Sequence, residues 1–362
     1  GLGYKTVDFE KKWTEYSGLP NSLFISSNTA GLQLALRTFS ISDSWEKGDE
    51  IITTPLTFVS TNHVILHENL KPIFCDVDES LCINPDILES LITHRTKAVM
   101  FVGMGGNPGR LDIIEKICSR NNLRLILDAA HMAGTYVNSS DGNVNHVGFE
   151  ADATVFSFQA VKNLPTADSG VICFKDKECS ILGRKLSWLG IDKDTYARSG
   201  TKGQYLWKYD VPHVGFKFNG NSIMAAIALV QLKYLDEDND YRNTLCKSYE
   251  KMLKPMKNIS IIKDSDYCYK SSKHLFQILV ENKNKSNSYY RDKIMQSMYD
   301  YNIFPGVHYV DNTEYNMYKK ARGKCPKSFD FSNRLISLPL HLGLTDVDLK
   351  RVTDVLLEFG EI

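Results

Sequence analysis

Between residues 22 and 128 the chain alternates short apolar runs with segments whose apolar positions recur at helical spacing. Residues 22–26 (SLFIS), 50–54 (EIITT), 71–76 (KPIFCD), 97–102 (KAVMFV) and 123–128 (LRLILD) read as strands. Residues 29–39, with leucines at 32, 34 and 36, and residues 58–68, 85–92 and 111–121 read as the helices between them. This alternation predicts an α/β fold with a mainly parallel sheet flanked by helices.

After Asp128 the rhythm changes. Residues 153–157 (ATVFS) and 170–175 (GVICFK) read as strands, but the twelve residues between them are too few for a helical crossover. A hairpin-like or irregular connection is therefore expected over 159–169. Residues 222–251 read as one long, bent helix where the chain leaves its first domain. Beyond it come a strand at 274–280, a polar loop at 282–288 (NKNKSNS), a helix at 290–301 and an extended piece at 306–309. Thr345 and Asp348 form a capping-box pattern that opens a last helix over 346–359. The expected organisation is a large domain over residues 1–240 and a smaller α+β domain over 241–362.

Composition narrows the function classes. The 362 residues carry 43 basic and 43 acidic side chains, so the net charge is zero and the basic footprint of a nucleic-acid binder is absent. The longest apolar runs, 98–104 and 223–230, are far shorter than the ~20 residues of a membrane-spanning helix. The eight cysteines form no CxxC pair, and most lie in apolar surroundings, which predicts reduced, buried thiols in a cytoplasmic protein with no metal site.

One motif invites a dinucleotide reading. Residues 102–111 (VGMGGNPGRL) lie between a strand and a helix, with Asp128 at the end of the next strand. Counting from Gly103, the second glycine is Gly105, but the third position is Pro108, which has no N–H and cannot give the close helix–strand approach. An oxidoreductase using the stretch from Gly103 to Gly109 stays the minor alternative.

A second constellation gathers at the strand ends. Ser26, Ser27, Asn28 and Thr29 lead directly into a helix, where small polar side chains and free backbone N–H groups suit a phosphate. Asp128 closes an apolar strand, where a carboxylate can keep a pyridine nitrogen protonated, and His131 follows three residues later. Lys162 is the one lysine between Leu127 and Lys175, in the irregular connection. Enclosure by apolar walls lowers an ammonium pKa and yields the neutral amine that a Schiff base requires. Ser157 adds a hydroxyl nearby. These groups suit pyridoxal 5'-phosphate; taken singly, each also reads as a helix cap, a core histidine or a surface lysine.

The order of these stretches resembles the DegT group of pyridoxal-phosphate sugar-nucleotide aminotransferases, of aminotransferase fold type I. The likeness runs from about Phe9 to the last helix. It is carried by 26–36 (SSNTAGLQLAL), 48–61 (GDEIITTPLTFVST), 72–78 (PIFCDVD), 124–135 (RLILDAAHMAGT), 156–163 (FSFQAVKN), 215–232 (GFKFNGNSIMAAIALVQL), 306–309 (GVHY) and 337–340 (SLPL).

The resemblance implies roles for particular residues. Lys162 matches the Schiff-base lysine and proton shuttle, and Asp128 the partner of the pyridine nitrogen. His131 matches a position beside the cofactor's O3′, and Phe58 the ring stacked on the pyridine. Asn28, Thr29 and Ser157 match phosphate ligands. Asn219 matches an asparagine reaching the phosphate from a neighbouring subunit, which implies a homodimer with shared active sites. His308 and Tyr309 match a segment near the sugar nucleotide.

The implied reaction moves an amino group from glutamate to a nucleotide-linked keto sugar, with a nucleoside-diphosphate 4-keto-6-deoxyhexose the leading acceptor and a 3-keto sugar the alternative. Such products feed surface polysaccharides, O-antigen among them, and related glycosides. Lys162 sets aside the dehydratase branch, which carries histidine there.

Four departures from the group's pattern stand out. Asn28 replaces a usual glycine. Ala167-Asp168-Ser169-Gly170 stands where Glu-Gly-Gly is common, and Val310-Asp311-Asn312 replaces a proline-containing stretch with a second histidine. The segment that commonly precedes the first motif is expected to be largely missing.

Overall fold

A computed structural model of the chain describes residues 3–139, 142–192, 209–282 and 286–360. Residues 283–285 of the expected polar loop at 282–288 lie outside them. The helices are α1 (Tyr4–Ser17), α2 (Asn28–Ser42), α3 (Ser60–His67), α4 (Pro85–Leu88), α5 (Leu111–Arg120), α6 (Lys177–Ser187), α7 (Ser222–Gln231), α8 (Leu235–Leu253), α9 (Asn287–Asp300), α10 (Pro326–Arg334) and α11 (Asp346–Leu357). The strands are β1 (Ser22–Ile25), β2 (Glu50–Thr53), β3 (Lys71–Phe74), β4 (Thr96–Val102), β5 (Arg124–Asp128), β6 (Tyr136–Asn138), β7 (Val144–His146), β8 (Ala153–Ser157), β9 (Gly170–Phe174), β10 (Ile259–Ile261), β11 (Cys268–Lys270), β12 (Phe276–Val280) and β13 (Leu335–Leu338).

Seven strands form the main sheet in the order β1-β9-β8-β5-β4-β2-β3. The pairs β2–β3, β2–β4, β4–β5 and β5–β8 are parallel; β9 alone runs against its neighbours β8 and β1. The expected parallel sheet and the expected hairpin-like connection are both present, with Ser157 facing Gly170 where the hairpin closes. Because β1 runs the same way as β2, β4, β5 and β8, their carboxyl ends share one edge, where a parallel sheet collects its ligands.

The near-continuous apolar runs follow from burial on both faces. Along β5, Leu125 and Leu127 enter one core and Ile126 the other, and along β8 Phe156 and Val155 divide the same way. Phe9 and Trp13 of α1 fill the first core, and α2 supplies Leu32, Leu36 and Phe39 to the second. A third core joins Leu245, Tyr249 and Leu253 of α8 to β12, β13, α9 and α11.

Several boundaries move. The expected helix at 222–251 is two helices, broken at residues 232–234, where the amides of Lys233 and Tyr234 turn back on Val230 and Gln231. The helix expected from residue 58 starts at Ser60, which leaves Phe58 in the loop before it. Only Pro85–Leu88 is α-helical within 85–92; the rest tightens into a 3-10 turn. The extended piece at 306–309 makes a single bridge, Gly306 to Ser337. The capping box of α11 forms as expected, with Thr345 and Asp348 each bonded to the other's backbone. All eight cysteines are unpaired, and all but Cys268 are buried. Among the described residues no helix is long and apolar enough to cross a membrane.

Candidate functional site

Asp128 closes β5 on the shared edge and is buried. Its Oδ1 accepts from Asn28 Nδ2 (3.2 Å) and the Ala130 amide (3.2 Å), and its Oδ2 from the Thr61 hydroxyl (2.8 Å). Thr61 in turn contacts the Thr57 hydroxyl at 3.0 Å. Burial pushes the Asp128 pKa above the usual carboxylate value; Thr61, the Ala130 amide, the Lys162 charge and Asn28 oppose the shift without cancelling it.

Lys162 sits in the β8–β9 connection, where its amide closes a turn on the Gln159 carbonyl (2.8 Å). Its Nζ lies 3.5 Å from His274 Nε2. Burial lowers the Lys162 pKa to about 8, partly offset by attraction to Asp128. A usable fraction of neutral amine therefore exists near neutral pH, as condensation with a carbonyl compound requires.

His131 connects the glycine stretch to the C-terminal segment. Its Nδ1 accepts from the Gly105 amide (3.2 Å), so in the neutral ring the proton resides on Nε2, which faces the Tyr309 hydroxyl at 3.2 Å. The Tyr309 oxygen accepts there, and its own O–H is free to donate. The rings of His131 and Tyr309 stack with centroids 6.1 Å apart, and those of His131 and His274 pack at a tilt of 36° with centroids 4.4 Å apart. Burial first, then the Lys162 charge, holds both histidines well below the ordinary imidazole pKa.

The glycine stretch itself is not a phosphate cradle. The Gly103 amide donates to the Asp128 carbonyl, Gly105 to His131, Asn107 to Met104 and Gly109 to the Asn107 side chain. Gly105 and Gly106 take left-handed φ values of 65° and 101°, which only glycine adopts freely. The motif holds His131 and, through the Gly105 carbonyl that accepts from the His274 amide, His274 (3.0 Å).

A cavity of about 460 Å³ brings together Asn28, Thr29, Phe58, Asp128, His131, Ser157, Lys162, His308 and Tyr309. Asn28 differs from expectation in one respect. Its amide nitrogen is engaged by Asp128 and the Val155 carbonyl (3.0 Å), leaving its backbone N–H at the start of α2 to face a phosphate. Thr29 is exposed on the first turn of α2, and Ser27 caps that helix by accepting from the Ala30 amide. Phe58 is 57% exposed at the cavity, 5.9 Å from the Tyr309 ring. His308 Nδ1 contacts the Ser337 hydroxyl (2.9 Å). Asn219 is not brought to the cavity of its own chain; it bridges to Ile25 at the end of β1, with its amide nitrogen on the Gly220 carbonyl.

Thr61, Asn163 and His274 shape the site without any distinct sequence signal for them. Asn163 follows Lys162 directly, and Thr61 lies four positions after Thr57, so both were within reach of local spacing. His274 is 112 positions from Lys162 and has no local signature.

The residues present fit pyridoxal phosphate. One wall holds a buried carboxylate whose charge burial disfavours and a cationic ring N–H would restore; another holds an amine of lowered pKa; an unsatisfied aromatic face and a helix N-terminus complete the lining.

A family model described as the DegT/DnrJ/EryC1/StrS aminotransferase family matches residues 1–357. The spore coat polysaccharide biosynthesis protein SpsC of Bacillus subtilis is 32% identical over 361 residues, covering 97% of this chain and 88% of that protein. An uncharacterised protein of Methanocaldococcus jannaschii, MJ1066, is 33% identical over 356 residues, covering 96% and 88%. Among solved structures, Helicobacter pylori PseC, an aminotransferase involved in the biosynthesis of pseudoaminic acid, superposes with a TM-score of 0.87 at 27% identity, covering 99% of this chain and 92% of that one. The sugar aminotransferase Spr1654 of Streptococcus pneumoniae, in its pyridoxamine phosphate form, gives 0.88 at 26% identity, covering 98% and 91%.

Proposed function

The chain belongs to the DegT/DnrJ/EryC1/StrS family of pyridoxal-phosphate-dependent sugar aminotransferases, and from that membership we propose that it moves the amino group of glutamate onto a nucleotide-linked keto sugar. The leading acceptor is a nucleoside-diphosphate 4-keto-6-deoxyhexose. The observation that carries the reading is one cavity holding the buried carboxylate of Asp128 and the buried, readily neutralised amine of Lys162.

When bound, the cofactor supplies an aldehyde carbon for amines and a ring that withdraws electrons. Asp128 would keep the ring nitrogen protonated, with Thr61 and Asn28 holding Asp128 in place. Phe58 would lie against the ring, and the first turn of α2, with Thr29, and Ser157 would hold the phosphate. Lys162 would anchor the cofactor and, once released, carry a proton at Nζ between the substrate carbon and the cofactor carbon that bore the aldehyde. Tyr309, its oxygen engaged by His131, donates its O–H into the cavity toward a substrate or cofactor oxygen. His308 lies beside it on the sugar-nucleotide side.

The same reading makes the working unit a homodimer in which Asn219 serves the partner's cavity. Its support is the apolar row Ile223, Ile227, Val230 and Tyr234 along and just beyond α7, which this chain leaves exposed, Ile223 by 71%. Residues 1–240 then form the cofactor-binding domain and 241–362 the smaller one. The unpaired cysteines accord with the cytoplasm, and the product with amino-sugar synthesis for a surface glycan.

Incubating the purified enzyme with glutamate and a panel of 3-keto and 4-keto sugar nucleotides tests the proposal. The expected result is 2-oxoglutarate and one amino-sugar nucleotide from a 4-keto-6-deoxy acceptor. Turnover of a 3-keto acceptor alone, or of none, contradicts it.

A further inference from the structure

We infer that His274 is a positioning residue for Lys162: its Nε2 lone pair accepts an N–H of the Lys162 amine and aims the nitrogen lone pair into the cavity. The inference rests on the reading above that Lys162 is the reactive amine.

The hydrogen-bond partners around His274 leave one tautomer for its ring. Asn239 donates its amide N–H to the Ala133 carbonyl (3.0 Å), so its Oδ1 is free to accept. Asn163 Nδ2 donates to that Oδ1 (2.6 Å) and to the Ser272 carbonyl (2.7 Å), and both acceptors fix the amide's orientation. Asn163 Oδ1 therefore faces His274 Nδ1 at 2.8 Å and can only accept. His274 carries its proton on Nδ1, and Nε2 presents a lone pair to Lys162 Nζ at 3.5 Å. The Gly105 carbonyl fixes the His274 backbone, and the His131 ring covers its face.

A neutral amine has two N–H bonds and one lone pair. Donating one N–H to a fixed acceptor restricts its rotation and turns the lone pair away from that acceptor. Burial first, and then the positive charges of Lys162, Arg242 and His308, hold His274 well below the ordinary imidazole pKa and keep it neutral. Among the groups facing Lys162, His131, His274 and His308 resist added charge and Asp128 favours it. Sequence spacing alone gave no hint of this pairing. It comes from His274, two positions before β12, being tied by its amide to the Gly105 carbonyl of the glycine stretch.

Two variants separate positioning from simple support. His274→Asn keeps a donor for Asn163 and deletes the atom that faces Lys162; His274→Gln returns a polar acceptor to that place. In the full chain carrying pyridoxamine phosphate, the pH dependence of Lys162 acetylation is read by peptide mass spectrometry. A hydrogen-bond acceptor favours the ammonium form, so its removal is expected to shift the Lys162 midpoint down by about one pH unit in His274→Asn and to restore it in His274→Gln. A midpoint that is unchanged, or that climbs toward an ordinary lysine, overturns the inference. If the variants do not fold, nitrogen-15 NMR of histidine-labelled wild type decides: Nδ1 protonated and Nε2 bare is expected, and the reverse tautomer or a doubly protonated ring at pH 7 overturns it. Borohydride labelling of wild type in its pyridoxal phosphate form keeps the two claims apart, because a label away from Lys162 defeats the reading of the site, whereas a label on Lys162 with the wrong tautomer or midpoint defeats only the role of His274.

Discussion

Asn28 donates its side-chain amide to Asp128 Oδ1 across 3.2 Å, joining the first turn of α2 to the end of β5. The bond supports a charge that burial opposes. In Asn28→Ala the Asp128 pKa rises further and the carboxylate holds a ring N–H less well. A hydrogen bond to a charged group contributes about 1.5–3 kcal/mol, so pyridoxal phosphate affinity falls roughly 10- to 100-fold. Thr61→Val, which removes the donor to Oδ2 and keeps the shape, falls within the same range. Absorbance titration of each variant with the cofactor measures both effects.

Lys162 gives a pH signature in stability. Its pKa is about 8 in the fold against an ordinary 10.5, so between those values the unfolded chain binds more protons and stability rises with pH. The cost of burying the ammonium is fully present below about 8. Cofactor-free Lys162→Met is therefore more stable than wild type at pH 7, by roughly 2 kcal/mol. The gap closes as pH rises toward 10.5. Denaturant melts of the two proteins at several pH values give the difference directly and cancel the cysteines and tyrosines that also titrate there.

The glycine stretch separates packing from nucleotide binding. A Cβ on Gly106 would lie 2.5 Å from Ser272 Oγ and 2.8 Å from Ser271 Oγ, at a φ of 101°. Gly106→Ala should lose about 2–4 kcal/mol of stability through strain and displacement of the segment that carries His274. Gly323→Ala has a similar φ of 80° with nothing within 4 Å, and should lose only about 1 kcal/mol. Neither change should alter affinity for a nicotinamide dinucleotide, which calorimetry is expected to find absent in wild type.

Much of this was legible in the sequence for identifiable physical reasons. Strands β1, β2, β4 and β5 are almost wholly buried, so their inner positions are apolar, while β3 at the sheet edge keeps only Phe74 buried. Asp128 and Lys162 stood out because a charged residue at the end of an apolar strand, or alone in a short connection, is unusual. Helix α1 was not legible: its buried residues are Thr6, Phe9, Trp13 and Ser17, and it has no side-chain cap or acidic first turn to announce it. The small β6–β7–β11 sheet was not either, because its strands have only three residues each and β11 joins β6 from about 130 positions away. The glycine stretch kept the composition of a nucleotide loop; only the partners of its amides distinguish it. The sequence places Asn28 among the phosphate ligands, and nothing local shows that its side-chain amide turns inward to Asp128.

The proposed sharing of active sites between two chains makes a mixing prediction. Lys162→Ala and Asn219→Ala are each expected to be nearly inactive as homodimers. Equal mixing and refolding yield half heterodimers, each with one intact site, so activity should recover to roughly a quarter of wild type. Recovery near zero places Asn219 in its own chain's site, and an Asn219→Ala homodimer that is fully active places it outside any site.

The central claim is that Lys162 carries the cofactor, and borohydride reduction of the yellow holoenzyme followed by peptide mapping tests it most directly. The predicted result is one phosphopyridoxyl group per chain on the peptide containing Lys162, and none in Lys162→Ala. A label on another lysine, or full labelling of Lys162→Ala, would contradict it.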